Sequence, residues 1–285
     1  MIENPEKQRD FGWRYFHFID KAGSRINLVE HKTDIFGLEA KPYMTMVAKA
    51  PDTEPVRFKG EPNVVWERGV GNQSGKFDFV FDNARFNGEI TDTLEHKELK
   101  DVVLYEDKLR RKSHWAVDIP YGKITGELRT PQGEKEITGY VYQDRQWGNI
   151  LIQEWVKNWI WTHLANENLF VVIFCINATN GQKSWHSISS LGQNVSVDHD
   201  FEVPHFPKLA NSSNPDANIF QAEIKIPGKL STVFTLSPQN VMRSRIGEKH
   251  PGFSASYVRW SVDGITNQSE ETAQGVAEYM SIQKL

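Results

Sequence analysis

The sequence predicts an all-β, antiparallel protein, and three observations predict it. Apolar and polar residues alternate in many short stretches, turn residues separate those stretches, and sustained helical periodicity is scarce. A period of two sends successive side chains to opposite faces, so each stretch buries one face of a strand. Strands recurring every 8–12 residues or so, with few helices between them, form sandwiches or barrels, and closing a sheet removes its unpaired edges.

In chain order, alternation is clearest in Phe77-Asp78-Phe79-Val80-Phe81, Lys123-Ile124-Thr125-Gly126-Glu127-Leu128, Phe220-Gln221-Ala222-Glu223-Ile224-Lys225-Ile226 and Tyr257-Val258-Arg259-Trp260-Ser261-Val262. Turn chemistry falls between them at Asp82-Asn83, Thr130-Pro131-Gln132-Gly133 and Ile226-Pro227-Gly228-Lys229. Leu151, Trp155 and Trp159 would share a helical face over two turns, so one short helix is expected there. The polar stretch from Pro204 to Asn218 reads as a long surface loop. Strand-like sequence pauses at Gly148-Asn149, which divides the chain into segments 1–150 and 151–285 of roughly equal size. No sequence repeat relates them, so a structural duplication would rest on strand count alone.

Composition narrows the function. Nine Trp and sixteen Phe in 285 residues are enough to fill cores or line pockets for apolar ligands. A net charge of −4 gives no electrostatic footprint for nucleic acid, and the basic run Lys108-Leu109-Arg110-Arg111-Lys112 reads as a solvated strand end or loop. Cys175, the single cysteine, lies in the apolar run Leu169 to Ile176 and is expected to be a small buried hydrophobe. That eight-residue run is the longest strongly apolar one, well short of the roughly 20 that span a bilayer as a helix. The start, MIENPEKQRDFGW, lacks a basic region followed by an apolar one, so a cytosolic location is expected.

Several chemistries lack their motifs. Gly69-Val70-Gly71-Asn72-Gln73-Ser74-Gly75-Lys76 is out of register for a phosphate loop and is followed by Phe77 where Ser or Thr is needed, so it reads as a Gly-rich hairpin. G-x-S-x-G, H-E-x-x-H and a dinucleotide fingerprint are absent from the sequence. Asp198-His199-Asp200 reads as a solvated loop rather than a metal site. No metal and no cofactor is expected.

The segment His114-Trp115-Ala116-Val117 through Gly126, then Gly139-Tyr140 and Asp144-x-x-Trp147-Gly148-Asn149, resembles the AttH-like and carotenoid-hydratase-like family of lipocalin-related proteins. Trp13-Arg14-Tyr15-Phe16-His17, followed by Ile26-Asn27-Leu28-Val29, is similar to that family's opening W-x-Y-F strand, and Trp159-Ile160-Trp161 to its W-x-W strand. The matches run in the family's order over roughly residues 11 to 175. The resemblance implies two consecutive lipocalin-like β-barrel domains with a pocket in or beside the first. It also implies cofactor-independent chemistry on hydrophobic substrates: the family includes hydratases of isoprenoid double bonds and cyclases that promote Diels–Alder closure of polyenes. The family's motif reads G-x-Y-H-D-H-N-W-G, whereas this chain has Gln143, Arg145 and Gln146 around a retained Asp144, Trp147 and Gly148. That departure moves the expectation from proton shuttling towards hydrogen-bonded positioning.

Two geometries are open for Asp144. If the strand from Thr138 continues to Arg145, then Tyr140, Tyr142 and Asp144 share one face and Val141, Gln143 and Arg145 the other. A carboxyl on such a water-poor aromatic wall holds its proton more tightly. If the chain turns at Gln143, Asp144 and Arg145 meet and hold the turn. The candidate catalytic residues are therefore Asp144, Tyr142, Gln143 and Arg145. Trp13, Tyr15, His17, Tyr140, Trp147 and Trp161 are the candidate substrate contacts, with Trp155 and Trp159 assigned to packing. The expected function is an intramolecular, Diels–Alder-type cyclisation of a polyene, isoprenoid or polyketide-derived substrate. The alternatives are a hydratase with Asp144 as acid and a non-catalytic carrier of a lipid-like ligand.

Overall fold

The computed structural model describes residues 11–33, 42–50, 53, 55–61, 64–68, 75–94, 99–167, 169–191, 234–246, 253–266 and 272–284. The expected strand Phe220 to Ile226 with the turn after it, the loop from Pro204 to Asn218, the Asp198-His199-Asp200 cluster and residues 69–74 lie outside them. The described residues form sixteen β-strands and one four-residue helix, an all-β lipocalin-like fold. The chain divides into two compact units, Met1–Glu154 and Trp155–Leu285.

The first unit contains β1 (Phe11–Asp20), β2 (Arg25–Thr33), β3 (Tyr43–Lys49), β4 (Val56–Gly60), β5 (Val64–Arg68), β6 (Gly75–Val80), β7 (Arg85–Thr91), β8 (Val102–Glu106), β9 (Lys112–Thr130) and β10 (Gly133–Gly148). They pair antiparallel in the order β4-β3-β2-β1-β10-β9-β7-β6-β5, with β8 added beside β9. The two ends of this order, β4 and β5, are only three residues apart in the chain. Four Cα steps reach at most about 15 Å, whereas nine strands laid flat would be nearly 40 Å across. The sheet therefore curls until its edges approach, and Phe58 of β4 meets Phe81, just past β6, with ring centroids 6.3 Å apart.

The concave side of that curl is filled by its own side chains. Phe16, Phe18, Leu28, Met44, Met46, Phe79, Phe86 and Ile90 are each 0% exposed and belong to one cluster with Phe58, Phe77, Ile137 and Val141. Phe18 and Phe86 meet edge to face at 4.9 Å. Packing at that density leaves the barrel interior as core.

The long β9–β10 hairpin turns at Thr130 to Gly133, the expected turn, with Gly133 at φ 134°. The basic run of residues 108–112 forms the tip between β8 and β9, where Leu109 is 71% exposed and Arg110 has φ 64°. Asp107 ties that tip down by accepting from the backbone of Leu109 and Arg111 and from the Arg111 guanidinium.

The expected helix is shorter than its periodicity indicated: α1 covers Ile152–Trp155, a single turn, and Trp159 lies in the strand that follows. Val156, Trp159, Ile160, Trp161 and Thr162 are β-branched or aromatic, which suits a pleated surface better than a helix. The second unit has β11 (Val156–Ala165), β12 (Leu169–Ala178), β13 (Lys183–Leu191), β14 (Phe234–Ile246), β15 (Phe253–Thr266) and β16 (Thr272–Lys284). Their antiparallel order is β13-β12-β11-β16-β15-β14. The apolar run around Cys175 is β12, buried on both faces, and burial pushes the Cys175 thiol well up from its ordinary range, as suits a packing residue.

Candidate active site

The stretch from Gly139 to Gly148 lies wholly within β10, so the chain does not turn at Gln143 and Asp144 and Arg145 point to opposite faces. β10 is central, between β1 and β9. Its register with β1 sets Tyr15 opposite Asp144, His17 opposite Tyr142, Ile19 opposite Tyr140 and Trp13 opposite Gln146. Directly opposed residues share a face, so β1 and β10 together present Trp13, Tyr15, His17, Tyr140, Tyr142, Asp144 and Gln146 on the side away from the phenylalanine core. β9 adds Val117 opposite Asp144 and Trp115 opposite Gln146, and β2 adds Asn27 opposite His17.

Asp144 is 6% exposed, and two donors converge on its Oδ2: the Tyr142 hydroxyl at 2.8 Å and the Trp115 indole Nε1 at 3.0 Å. Tyr142 and Trp115 are 0% and 1% exposed, so both donors are held by packing. The Tyr15 hydroxyl donates to Asn27 Oδ1 at 2.7 Å, and its ring lies 6.5 Å from that of the buried His17 and 6.3 Å from that of Tyr142. Tyr140 packs against Tyr121 at 5.5 Å, and Gln146 donates to Ser113 Oγ at 3.3 Å. Trp13 is half-buried beside Phe11. This face thus sets a carboxyl, an imidazole and three phenols in an apolar surround, the donor and acceptor types that acid–base chemistry uses.

The opposite face has a different polar set. Two successive one-residue bulges in β9 place Asp118 and Ile119 against Gln143, and Pro120 and Tyr121 against Tyr142. Pro120 has no N–H to offer the ladder, which suits it to an irregular position. Asp118 is thereby set beside Gln143 and Arg145: Arg145 Nε and Nη2 donate to its two oxygens at 2.6 and 2.9 Å, and Gln143 Nε2 donates at 3.1 Å. The Arg145 guanidinium stands 5.3 Å over Trp147, whose ring stacks on His114, and His114 Nδ1 is 2.8 Å from Asp101 Oδ1.

Of the residues singled out from sequence, the structure brings Asp144, Tyr142, Tyr140, Trp13, Tyr15 and His17 onto one face. It sets Gln143, Arg145 and Trp147 on the other. Trp161 belongs to β11 of the second unit, 3% exposed and 6.4 Å from His163. Sequence reasoning did not nominate Trp115, Asn27 or Asp118. Trp115 and Asn27 stand inside motifs already quoted, but the partners they serve lie 29 and 12 residues away. Only Pro120 hinted at the bulges that position Asp118. Among the described residues, no group of three or more His, Cys, Asp or Glu side chains is placed to hold a metal ion.

No family model and no curated protein matches this sequence. Solved structures do. CghA with Sch210972 aligns at a TM-score of 0.60 with 10% identity, covering 97% of this chain and 88% of that one. Kievitone hydratase from Nectria haematococca aligns at 0.54 with 14% identity, covering 95% and 88%. A putative AttH from Nitrosomonas europaea aligns at 0.52 with 7% identity, covering 95% and 92%. Over nearly its whole length the chain shares the fold of these structures, an all-β lipocalin-like fold.

Proposed function

We propose that this chain is a cofactor-independent enzyme that cyclises a hydrophobic polyene, isoprenoid or polyketide-derived substrate, with the Asp144 face as its polar centre. The observation that supports the reading is the buried carboxyl of Asp144, held by Tyr142 and Trp115 on a wall of aromatic side chains. The fold is shared with CghA, whose structure contains Sch210972, and with a kievitone hydratase, which agrees with catalysis on this scaffold. An aromatic wall that holds a flexible chain in a reactive shape removes the entropic part of the barrier, worth about 7–11 kcal/mol in the best intramolecular cases. Asp144 carrying a proton on Oδ1, while Oδ2 accepts from Tyr142 and Trp115, would donate a hydrogen bond to a substrate carbonyl and stabilise charge developing there. Gln143 and Arg145 are not part of this assistance, because they face away and are engaged by Asp118.

A second reading, hydration of an isoprenoid double bond, is favoured by one observation. His17 stands opposite Tyr142 on the face of Asp144 and so supplies, from a neighbouring strand, an imidazole that the motif itself lacks. In this reading Asp144 protonates the alkene, water adds to the cation, and His17 takes the proton that the water releases.

The test is to incubate the purified protein with a panel of polyenes and isoprenoids in ¹⁸O-labelled water and to analyse the products by mass spectrometry. Cyclisation gives an isomer of unchanged mass and a new retention time; hydration gives a product heavier by one labelled water. Recovery of every compound unchanged, although bound, would overturn the enzyme reading in favour of a carrier.

A further inference from the structure

In the second unit, β11 points Trp159, Trp161 and His163 to one face of its sheet. Trp159 is 4% exposed, and its indole Nε1 is buried with no hydrogen-bond partner among the described residues. The reason lies in the register. Directly opposite Trp159 stand Ile176 on β12 and Met280 on β16, and Phe174 meets its ring edge to face at 5.9 Å and 76°. None of these side chains carries a good acceptor. A buried donor left unsatisfied costs about 1–3 kcal/mol.

We propose that the second unit contains a ligand subsite in which the Trp159 indole N–H donates to a carbonyl or other oxygen of a hydrophobic ligand. The inference rests on the proposed reading only in taking the ligand to be hydrophobic, and it holds equally for a substrate and for carried cargo. Trp159 supplies the polar anchor and Phe174 and Met280 the apolar surround, the composition of a small-molecule site in which few polar groups set orientation.

The test compares β-ionone, a conjugated ketone, with its counterpart in which the carbonyl is a methylene. With ¹⁵N-tryptophan-labelled protein, the ketone is expected to move the Trp159 Nε1–H proton resonance downfield and the methylene compound to leave it in place. By titration, the native protein is expected to prefer the ketone about fivefold to tenfold, the worth of one hydrogen bond. In Trp159→Phe that preference falls to near one while affinity for the methylene compound is kept. A ketone preference that survives in Trp159→Phe, a Trp159 resonance unmoved by ketone, or binding of neither probe overturns the subsite. Should Trp159→Phe fail to fold, the labelled native protein decides alone. Because neither readout needs turnover, a carrier passes this test and fails the product assay, which separates the two proposals.

Discussion

In each unit the first strand pairs with both the second strand and the last, and a glycine of the last strand brings its backbone against a carbonyl of the first. In the first unit Gly139 of β10 lies against the Ile19 carbonyl; in the second Gly275 of β16 lies against that of His163. Matching the units on these glycines carries the register pairs of Arg14 to Ile19 onto those of Asn158 to His163: Trp159 stands where Tyr15 does, Trp161 where His17 does, Phe174 where Asn27 does, Glu278 where Tyr142 does and Met280 where Asp144 does. The backbone plan is repeated but the chemistry is not. In the first unit Tyr15 finds Asn27, and Tyr142 and Trp115 find Asp144. In the second, phenylalanine and methionine replace both acceptors, and the Trp159 N–H is left for something other than its neighbours. One copy of the plan has internally completed polar contacts suited to proton handling; the other has a donor suited to recognition.

The comparison can be broken most severely at the shared glycines. A methyl group on either would overlap a backbone oxygen that no rotamer change can move. Gly139→Ala and Gly275→Ala are each expected to cost about 3 kcal/mol or more, a fall in melting temperature of roughly 5–10 °C. A variant that melts like the native protein at one glycine and not at the other would show that the two strand pairs do not correspond.

The division of labour is tested next. Asp144→Asn is expected to reduce product formation about 100-fold in a normally folded protein, the lower end of what a general acid contributes. Met280→Leu, the conservative change at the matching position, is expected to leave the rate nearly untouched and to cost less than about 1.5 kcal/mol. Equal losses of rate in the two variants would contradict the placing of the chemistry in the first unit alone.

The smallest expected effects separate the two faces of β10. Tyr142→Phe removes a donor from a buried carboxyl and is expected to cost about 1–2 kcal/mol, measured by denaturant unfolding, and to slow turnover. Arg145→Gln breaks an ion pair whose side chains are 42% and 21% exposed, so it should cost less than about 1 kcal/mol and leave turnover within about twofold. A loss of rate in Arg145→Gln as large as in Tyr142→Phe would show that the polar set around Asp118 takes part after all.

Much of this arrangement was legible in particular residues. Alternation alone indicated that Tyr140, Tyr142 and Asp144 would share a face once the strand continued through Arg145, and the apolar run at Cys175 read as a buried strand. Two groupings made along the chain are divided in space, for one reason. Trp159 was grouped with Leu151 and Trp155 by helical spacing, although its neighbours prefer an extended chain, and Gln143 and Arg145 were grouped with Asp144 by proximity in sequence, although strand geometry separates adjacent residues. In both cases closeness along the chain stood in for closeness in space.

By itself the sequence determined the all-β class, the composition of each strand face and the aromatic character of the face that holds Asp144, because all three follow from a two-residue period that is a property of the local backbone. Only the tertiary structure decided that Trp115 and Tyr142 would meet on one oxygen of Asp144, that His17 would stand beside them, that bulges in β9 would set the Asp118 carboxylate beside Gln143 and Arg145, and that Trp159 would be left among Ile176, Phe174 and Met280. Those outcomes depend on register between strands far apart in the chain. A shift of one residue in that register would turn every one of these side chains to the other face.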